Sequence, residues 1–382
     1  MDQNVTSPVV RRFTLPGTLA SELPRWDGRA FGAGAATPMQ TRPWIVACGE
    51  TFVRDGDLRV TVVEDHSGVA AVAPLVFSSP FPPHLELLGA RELSEPSDFV
   101  FRDLGALDAL LAVLSRESTP LLLPRVPANS PAPEAIRASY RGRGLIVCRP
   151  GNTCPRIDLG TARKPPDELL SSRLRSDLRR AQRKAEAQGR VTYEVHAPRT
   201  AAEFLPLYEE ALRVEAAGWK GRGGSAVTTN EMQRAFFSRY GALASEEGTL
   251  RLAFLRLEGV PAAMQYAIQW NGAFWLLKVG YDEAFSRCSP GMLLMQHTLG
   301  YAVEQGLRSY EFLGSAEAWT QRWTTDETST TRIAVYPFGP EGMLSLGRDL
   351  LRSLRRKVTA RIAARRRGTL IPEVADATPP SP

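Results

Sequence analysis

The sequence predicts an α/β fold with a mixed sheet, arranged as two tandem copies of one unit. Three observations carry that expectation. Segments of helical period alternate with segments of strand period along the chain. A hairpin-like stretch, "LRVTVVEDHSGVAAVA" (58–73), recurs about half a chain later as "LRLAFLRLEGVPAA" (250–263). Each opens on Leu-Arg, turns through a Gly-Val pair and closes on an alanine-rich strand. The length of 382 residues suits two or three domains with a sizeable core.

Taken in order, the segment 40–56 leads into a hairpin over 58–76 that turns at Asp65–Gly68. A helix over 105–115, a strand over 119–124, a helix over 131–142 and a strand over 144–148 follow. The second half is more regular. Within 166–188, Leu170, Leu174, Leu178, Ala181 and Ala185 share one helical face, and Gly189 ends the helix. "VTYEVH" (191–196) alternates as a strand does. Thr200 with Glu203 three residues on marks the start of a helix over 201–216. "GWKGRGG" (218–224) reads as a loop, and a helix spans about 230–245. Three strands follow, 250–257, 261–270 and 273–281, turning at Glu258-Gly259 and Asn271-Gly272. A helix over 291–305 stops at Gly306, and 308–314 is again a strand. Beyond 340, Leu346, Leu350, Leu354, Val358 and Ile362 recur every four residues in a basic amphipathic helix, before a tail "ATPPSP" expected to be disordered.

Composition narrows the function classes. The apolar share of 43% and charged share of 23% are those of a globular protein. Cys48, Cys148, Cys154 and Cys288 form no C-x-x-C pair, and the four histidines are dispersed, so no metal centre or disulfide framework is expected. The longest apolar runs are too short to cross a bilayer, and the N-terminus lacks a basic-then-apolar leader, which gives the expectation of a cytoplasmic location. The net charge of +6 is uneven: +8 falls on 348–367 and +5 on 163–190, leaving −7 elsewhere. Neither basic helix suggests DNA, because each carries an apolar stripe and its arginines can serve simply as a solvated face.

One stretch stands out. The polar loop "YDEAFSRCS" (281–289) runs through Pro290-Gly291 straight into an apolar helix. The first turn of a helix has unpaired amides and the positive end of the dipole, which makes it a seat for a phosphate. An ordinary loop with proline near the first helical position is the alternative.

The order hairpin, hairpin, loop, helix, strand, with "LLKVGYDEAFSRCSPGMLL" (276–294), the basic helix "RLRSDLRRAQRK" (173–184), "GWKGRGG" and "GLRSYEFLG…EAWTQRW" (306–323), resembles the CelD/BcsL-like acetyltransferases of the GNAT superfamily. These are related to the FemAB aminoacyl transferases with paired GNAT domains. The first half resembles them more weakly, through "RPWIVACGETF" (42–52), "LRVTVVEDHSGVAAVAPL" (58–75) and "LELLGA" (85–90). The resemblance implies acyl transfer from a thioester to an amine or hydroxyl by direct attack, with acetyl-CoA or another acyl-CoA as co-substrate and no metal. It implies a donor seat at Arg287, Ser289, Gly291 and Met292. The family loop reads R/Q-x-x-G-x-G/A; here Pro290 replaces the first glycine and Met292 the last position.

Tyr281 is then a candidate proton donor to the thiolate, Asp282 a candidate base at a strand end, and Glu317 a candidate ligand for an acceptor amine, with Glu311 beside it. Thr320 stands where family members often carry lysine. Trp219 and Lys220 are candidate acceptor-cleft residues. Lys278 lies inside an apolar strand, on the same side as Leu276 and Gly280 by alternation, which is expensive unless it lines a cleft. Trp319 and Trp323 read as a packing pair, and Cys288 has no histidine nearby to make it a nucleophile.

The expected organisation is an N-terminal segment (1–39, partly disordered), a degenerate GNAT-like domain (40–160), a catalytic GNAT domain (161–340) and a basic helix with a disordered tail (341–382). The acceptor is a small molecule, a glycan or an envelope precursor, in a setting such as polysaccharide biosynthesis. Residues 344–367 could meet an anionic membrane, placing the protein peripherally at its inner face. Two alternatives are a FemX-like peptidyltransferase using aminoacyl-tRNA, and a non-catalytic binding subunit at a membrane.

Overall fold

The computed structural model describes residues 8–26, 37–78, 82–160, 166–218 and 230–368. Trp219, Lys220 and the rest of the loop expected up to 224 lie outside the described residues, as do the tail after 368 and parts of 1–39. Among the described residues the α-helices are Leu19–Glu22 (α1), Arg42–Phe52 (α2), Leu104–Leu114 (α3), Ala132–Ser139 (α4), Ser172–Glu186 (α5), Ala201–Ala216 (α6), Glu231–Glu246 (α7), Pro290–Glu304 (α8) and Pro340–Gly368 (α9). None of them is long and apolar enough to cross a membrane.

Two sheets are present. The first runs Val9–Phe13 (β1), Leu58–Asp65 (β2), Gly68–Ser78 (β3), His84–Leu87 (β4), Leu121–Pro127 (β6), Thr330–Pro337 (β15) and Gly144–Pro150 (β7), with Val100–Phe101 (β5) paired to β3. The second runs Val191–His196 (β9), Leu250–Leu257 (β10), Val260–Trp270 (β11), Ala273–Tyr281 (β12), Ser309–Glu311 (β13), Cys154–Asp158 (β8) and Glu327–Thr328 (β14). Both are mixed, each with a parallel pair, β4 with β6 and β12 with β13, so the α/β expectation holds. The two sheets match position by position: an edge strand, a hairpin, a fourth strand, then a parallel fifth strand reached through a helix, α3 or α8. The sixth position is exchanged. β8 leaves the first half to join the second sheet, and β15 returns to fill the first.

Local chemistry explains the second sheet. Asn271 and Gly272 both have positive φ, 48° and 70°, the backbone of a tight hairpin turn whose twist matches the strands it joins. Leu174, Leu178, Ala181 and Ala185 are buried on α5, and Ser171 caps it by accepting the Leu174 N–H at 3.2 Å. The halves meet through α2 and α7. Trp44 stands edge-on to Phe236 and Tyr240 at 5.0 and 5.2 Å, and Phe52 stacks on Phe236 at 5.2 Å. Each such pair adds about 1 kcal/mol beyond its area burial. The core around them draws from both halves.

Candidate active site

The site begins with one extra residue. Tyr266 faces Lys278 across β11 and β12, but Ala267 faces Leu276, so Leu277 is a bulge. A bulge bends its strand and sharpens the local twist. The parallel pairing of β12 with β13 ends at Trp275–Glu311, and past it no described strand pairs with the outer edge of β12. The two strands splay, and a cleft of about 690 Å³ opens between them.

The bulge also corrects the expected facing of Lys278. Leu276 packs into the core beneath α8, whereas Leu277 packs into the core shared between the halves. Lys278 follows Leu277 onto that second face, with Gly280 but not with Leu276. Its Nζ lies 4.9 Å over the Phe237 ring and donates to Gln233 Oε1 at 3.4 Å. Gly280 is required for close approach, since a Cβ there would lie 3.1 Å from Glu215 Cα on α6.

At the other wall, Ser289, Pro290, Gly291 and Met292 line the cleft with the first turn of α8. Ser289 is in the left-handed region (φ 51°) and its side chain makes no capping bond. The Met292 N–H donates to Ser289 O at 3.0 Å, and Pro290 has no N–H. The Gly291 N–H has no acceptor among the described residues. A Cβ on Gly291 would only touch Tyr281 Cδ1 at 3.6 Å, so a larger side chain would project along the cleft wall. Leu313 (φ 59°) and Gly314 (φ 56°) are left-handed on the opposite lip. For leucine that conformation costs about 1–2 kcal/mol and persists only where its surroundings impose it.

The surroundings are visible. The Gly314 N–H donates to Glu95 Oε2 at 3.3 Å, and the Arg125 guanidinium donates to Gly314 O. Both partners belong to the first half. Glu95 lines the cleft, and burial pushes its carboxyl above the usual carboxylate range, while the Gly314 amide, Arg125 and Lys278 pull the other way. Glu215, 2% exposed, also lines the cleft. Neither acid was singled out from the sequence. Glu95 has no local signal, because it arrives from the other half. Glu215 had one: it follows Phe204, Tyr208, Ala211 and Leu212 on the buried stripe of α6, where a carboxylate is out of place.

Of the residues singled out from the sequence, Tyr281, Ser289, Gly291, Met292, Lys278 and Glu317 all line the cleft. Glu317 accepts from Trp319 Nε1 at 2.9 Å. Arg287 is exposed and is not among the lining residues. Asp282 is turned to local work, accepting the Ala284 N–H at 2.9 Å to cap the short helix Glu283–Cys288. Glu311 is buried against Ser309 Oγ at 2.6 Å, and burial raises its pKa. Cys288 is buried with its thiol directed at Phe285 O, and desolvation raises its pKa, the reverse of an activated nucleophile. Trp319 stacks edge-on to Phe312 at 5.8 Å while Trp323 is buried in the core below, so the expected tryptophan pair is divided. Trp219 and Lys220 lie just past Gly218, a lining residue, and outside the described residues.

A strand splayed from its parallel neighbour beside an uncapped helix N-terminus now meets independent comparisons. Residues 172–321 match the acetyltransferase (GNAT) domain family. The matched GNAT segment runs from α5 through β13 and contains every second-half lining residue named above except Trp323. Among solved structures, FemX is similar at 14% identity and a TM-score of 0.56, over 85% of this chain and 96% of that one. A conserved protein from Bacteroides thetaiotaomicron is similar at 11% identity and a TM-score of 0.50, over 77% and 89%. These likenesses in fold run over both halves of the chain. A tandem GNAT protein from the clavulanic acid biosynthesis pathway also matches, at 15% identity and a TM-score of 0.43, over 87% and 99%. Comparison with curated proteins finds no match.

Proposed function

We propose that the protein transfers an acyl group, acetyl in the simplest case, from acyl-CoA to an amine or hydroxyl acceptor. The observation that carries this reading is the cleft that opens at Trp275 and leads to the Gly291 amide, which has no partner among the described residues. The outer edge of β12 would hold the pantetheine arm, and the Gly291 amide with the Ser289 hydroxyl the pyrophosphate, Met292 lining the seat beside them. When bound, acyl-CoA supplies an activated thioester carbonyl. The acceptor would enter between the halves, where Glu95, Glu317 and Lys278 converge on the cleft. The acceptor lone pair attacks the carbonyl carbon, the C–S bond breaks, and Tyr281 would give the leaving thiolate its proton. The acidic lining favours an amine: Glu95 would hold the ammonium and take its proton before attack, and the proton that the nitrogen loses as the C–N bond forms would restore Tyr281. The CelD/BcsL-like resemblance of the sequence adds a glycan or envelope precursor to the acceptors we favour.

One observation supports a second donor. With Pro290 lacking an N–H and the Met292 amide already engaged, the seat offers fewer amides than the usual family loop. Aminoacyl-tRNA is then the competing donor, with the exposed arginines of α5 as its contact. Titration of acetyl-CoA and of charged tRNA, together with thiol release over a panel of amines, tests the reading. Micromolar acetyl-CoA binding with acceptor-dependent thiol release is expected. Binding of charged tRNA alone would transfer the assignment to the second donor, and binding of neither would leave a non-catalytic subunit.

A further inference from the structure

The C-terminal helix α9 packs inside out. An amphipathic helix ordinarily buries its apolar stripe against the body of the protein. Here the face toward the first sheet carries Gly342 and Ser345, both buried, and Asp349, which accepts from Tyr336 Oη at 2.7 Å. Gly342 permits the approach, since a Cβ there would overlap Pro337 O. The apolar stripe points the other way. Met343, Leu344, Leu350, Leu351 and Leu354 share it, the first two lying two turns (seven residues) before Leu350 and Leu351, and the last three are 52%, 60% and 58% exposed. Exposed apolar residues grouped on one face and flanked by charge mark a surface for a partner or a membrane.

Charge identifies the occupant. Arg348, Arg352 and Arg355 recur at i, i+4 and i+7 along one flank of the stripe. Between α9 and the first sheet lies a cavity of about 180 Å³ lined by Arg91, Arg332, Arg348 and Arg352, with Asp349 the only acid among the lining residues. The sequence from 348 to 367 carries +8. An apolar partner protein would not need that density of arginine. An anionic bilayer supplies both halves of the match, acyl chains for the leucines and phosphates for the guanidiniums. We propose that α9 is an interfacial helix that docks the protein on an anionic lipid surface, with the arginine-lined cavity beside it receiving headgroup phosphate. The inference is independent of the acyl-transfer reading.

Flotation of the full chain with vesicles of phosphatidylcholine, with or without phosphatidylglycerol, tests it. Enrichment on the anionic vesicles is expected, weakening as salt rises. The double variant Leu350→Glu/Leu354→Glu should lower partition by about tenfold or more, and Arg352→Glu/Arg355→Glu by about tenfold. All four side chains are exposed, and an unchanged thermal melt confirms that the fold is retained. Equal binding to neutral vesicles, no binding at all, or binding that survives both variants would overturn the proposal. So would a solution dimer that Leu350→Glu/Leu354→Glu dissolves, because the stripe would then belong to a second copy.

Discussion

The two halves of the molecule repeat one topology and treat the same helix end differently. In the first half, α3 is capped by Asp103, whose Oδ1 accepts the Ala106 N–H at 2.9 Å. A carboxylate already occupies the place where an anion would sit. In the second half, α8 begins at Ser289 with no side-chain cap, and its Gly291 amide faces a cleft. The duplicated fold thus presents two equivalent helix ends, one closed by a side-chain cap and one uncapped at a cleft. The closed half contributes to the site in another way, through Glu95 and Arg125, which hold the left-handed turn at Gly314.

That contrast can be broken by making the open end resemble the closed one. Ser289→Asp should lower acyl-CoA affinity by about a hundredfold, equivalent to ~3 kcal/mol, because a fixed negative charge enters the phosphate seat. Calorimetric titration reads the loss, and an unchanged affinity would show that the seat is elsewhere.

The buried acids sharpen the comparison next. Asp98, in the first half, is fully buried, and burial lifts its pKa to about 7 against an ordinary 3.8. Between those values the folded state holds a proton that the unfolded chain releases. Stability therefore falls as pH rises from 4 to 7, then levels off. Asp98→Asn should flatten that slope and raise stability at pH 8 by about 2 kcal/mol, measured by denaturant unfolding across pH. A slope that survives the substitution would assign it to other groups.

A smaller effect is expected from Asp103→Ala. Loss of the cap should cost about 1 kcal/mol of stability. Donor affinity should stay unchanged, since the first-half seat has no part in binding.

Much of the fold was legible because its signals are local. The stripe of α5, the Thr200 start of α6 and the Asn271-Gly272 turn are each set by neighbours in sequence. The exchange of β8 and β15 was not, since pairing partners more than a hundred residues apart leave no local mark. At the candidate site, one segment of sequence singled out Lys278, Ser289, Gly291 and Met292, which line one cleft. The bulge at Leu277 that re-aims Lys278 could not, because strict alternation looks the same with or without an extra residue. Residue type and position singled out Arg287 and Asp282 as well; the structure puts Arg287 on an exposed short helix outside the cleft lining and has Asp282 accept a capping bond from Ala284.

The central claim is that the first turn of α8 grips the anionic handle of the donor. Calorimetric titration of acetyl-CoA into the native protein and into Gly291→Trp tests it most directly. The account predicts micromolar binding to the native chain and none to the variant, with equal thermal stability of the two. Equal affinity in both would contradict it.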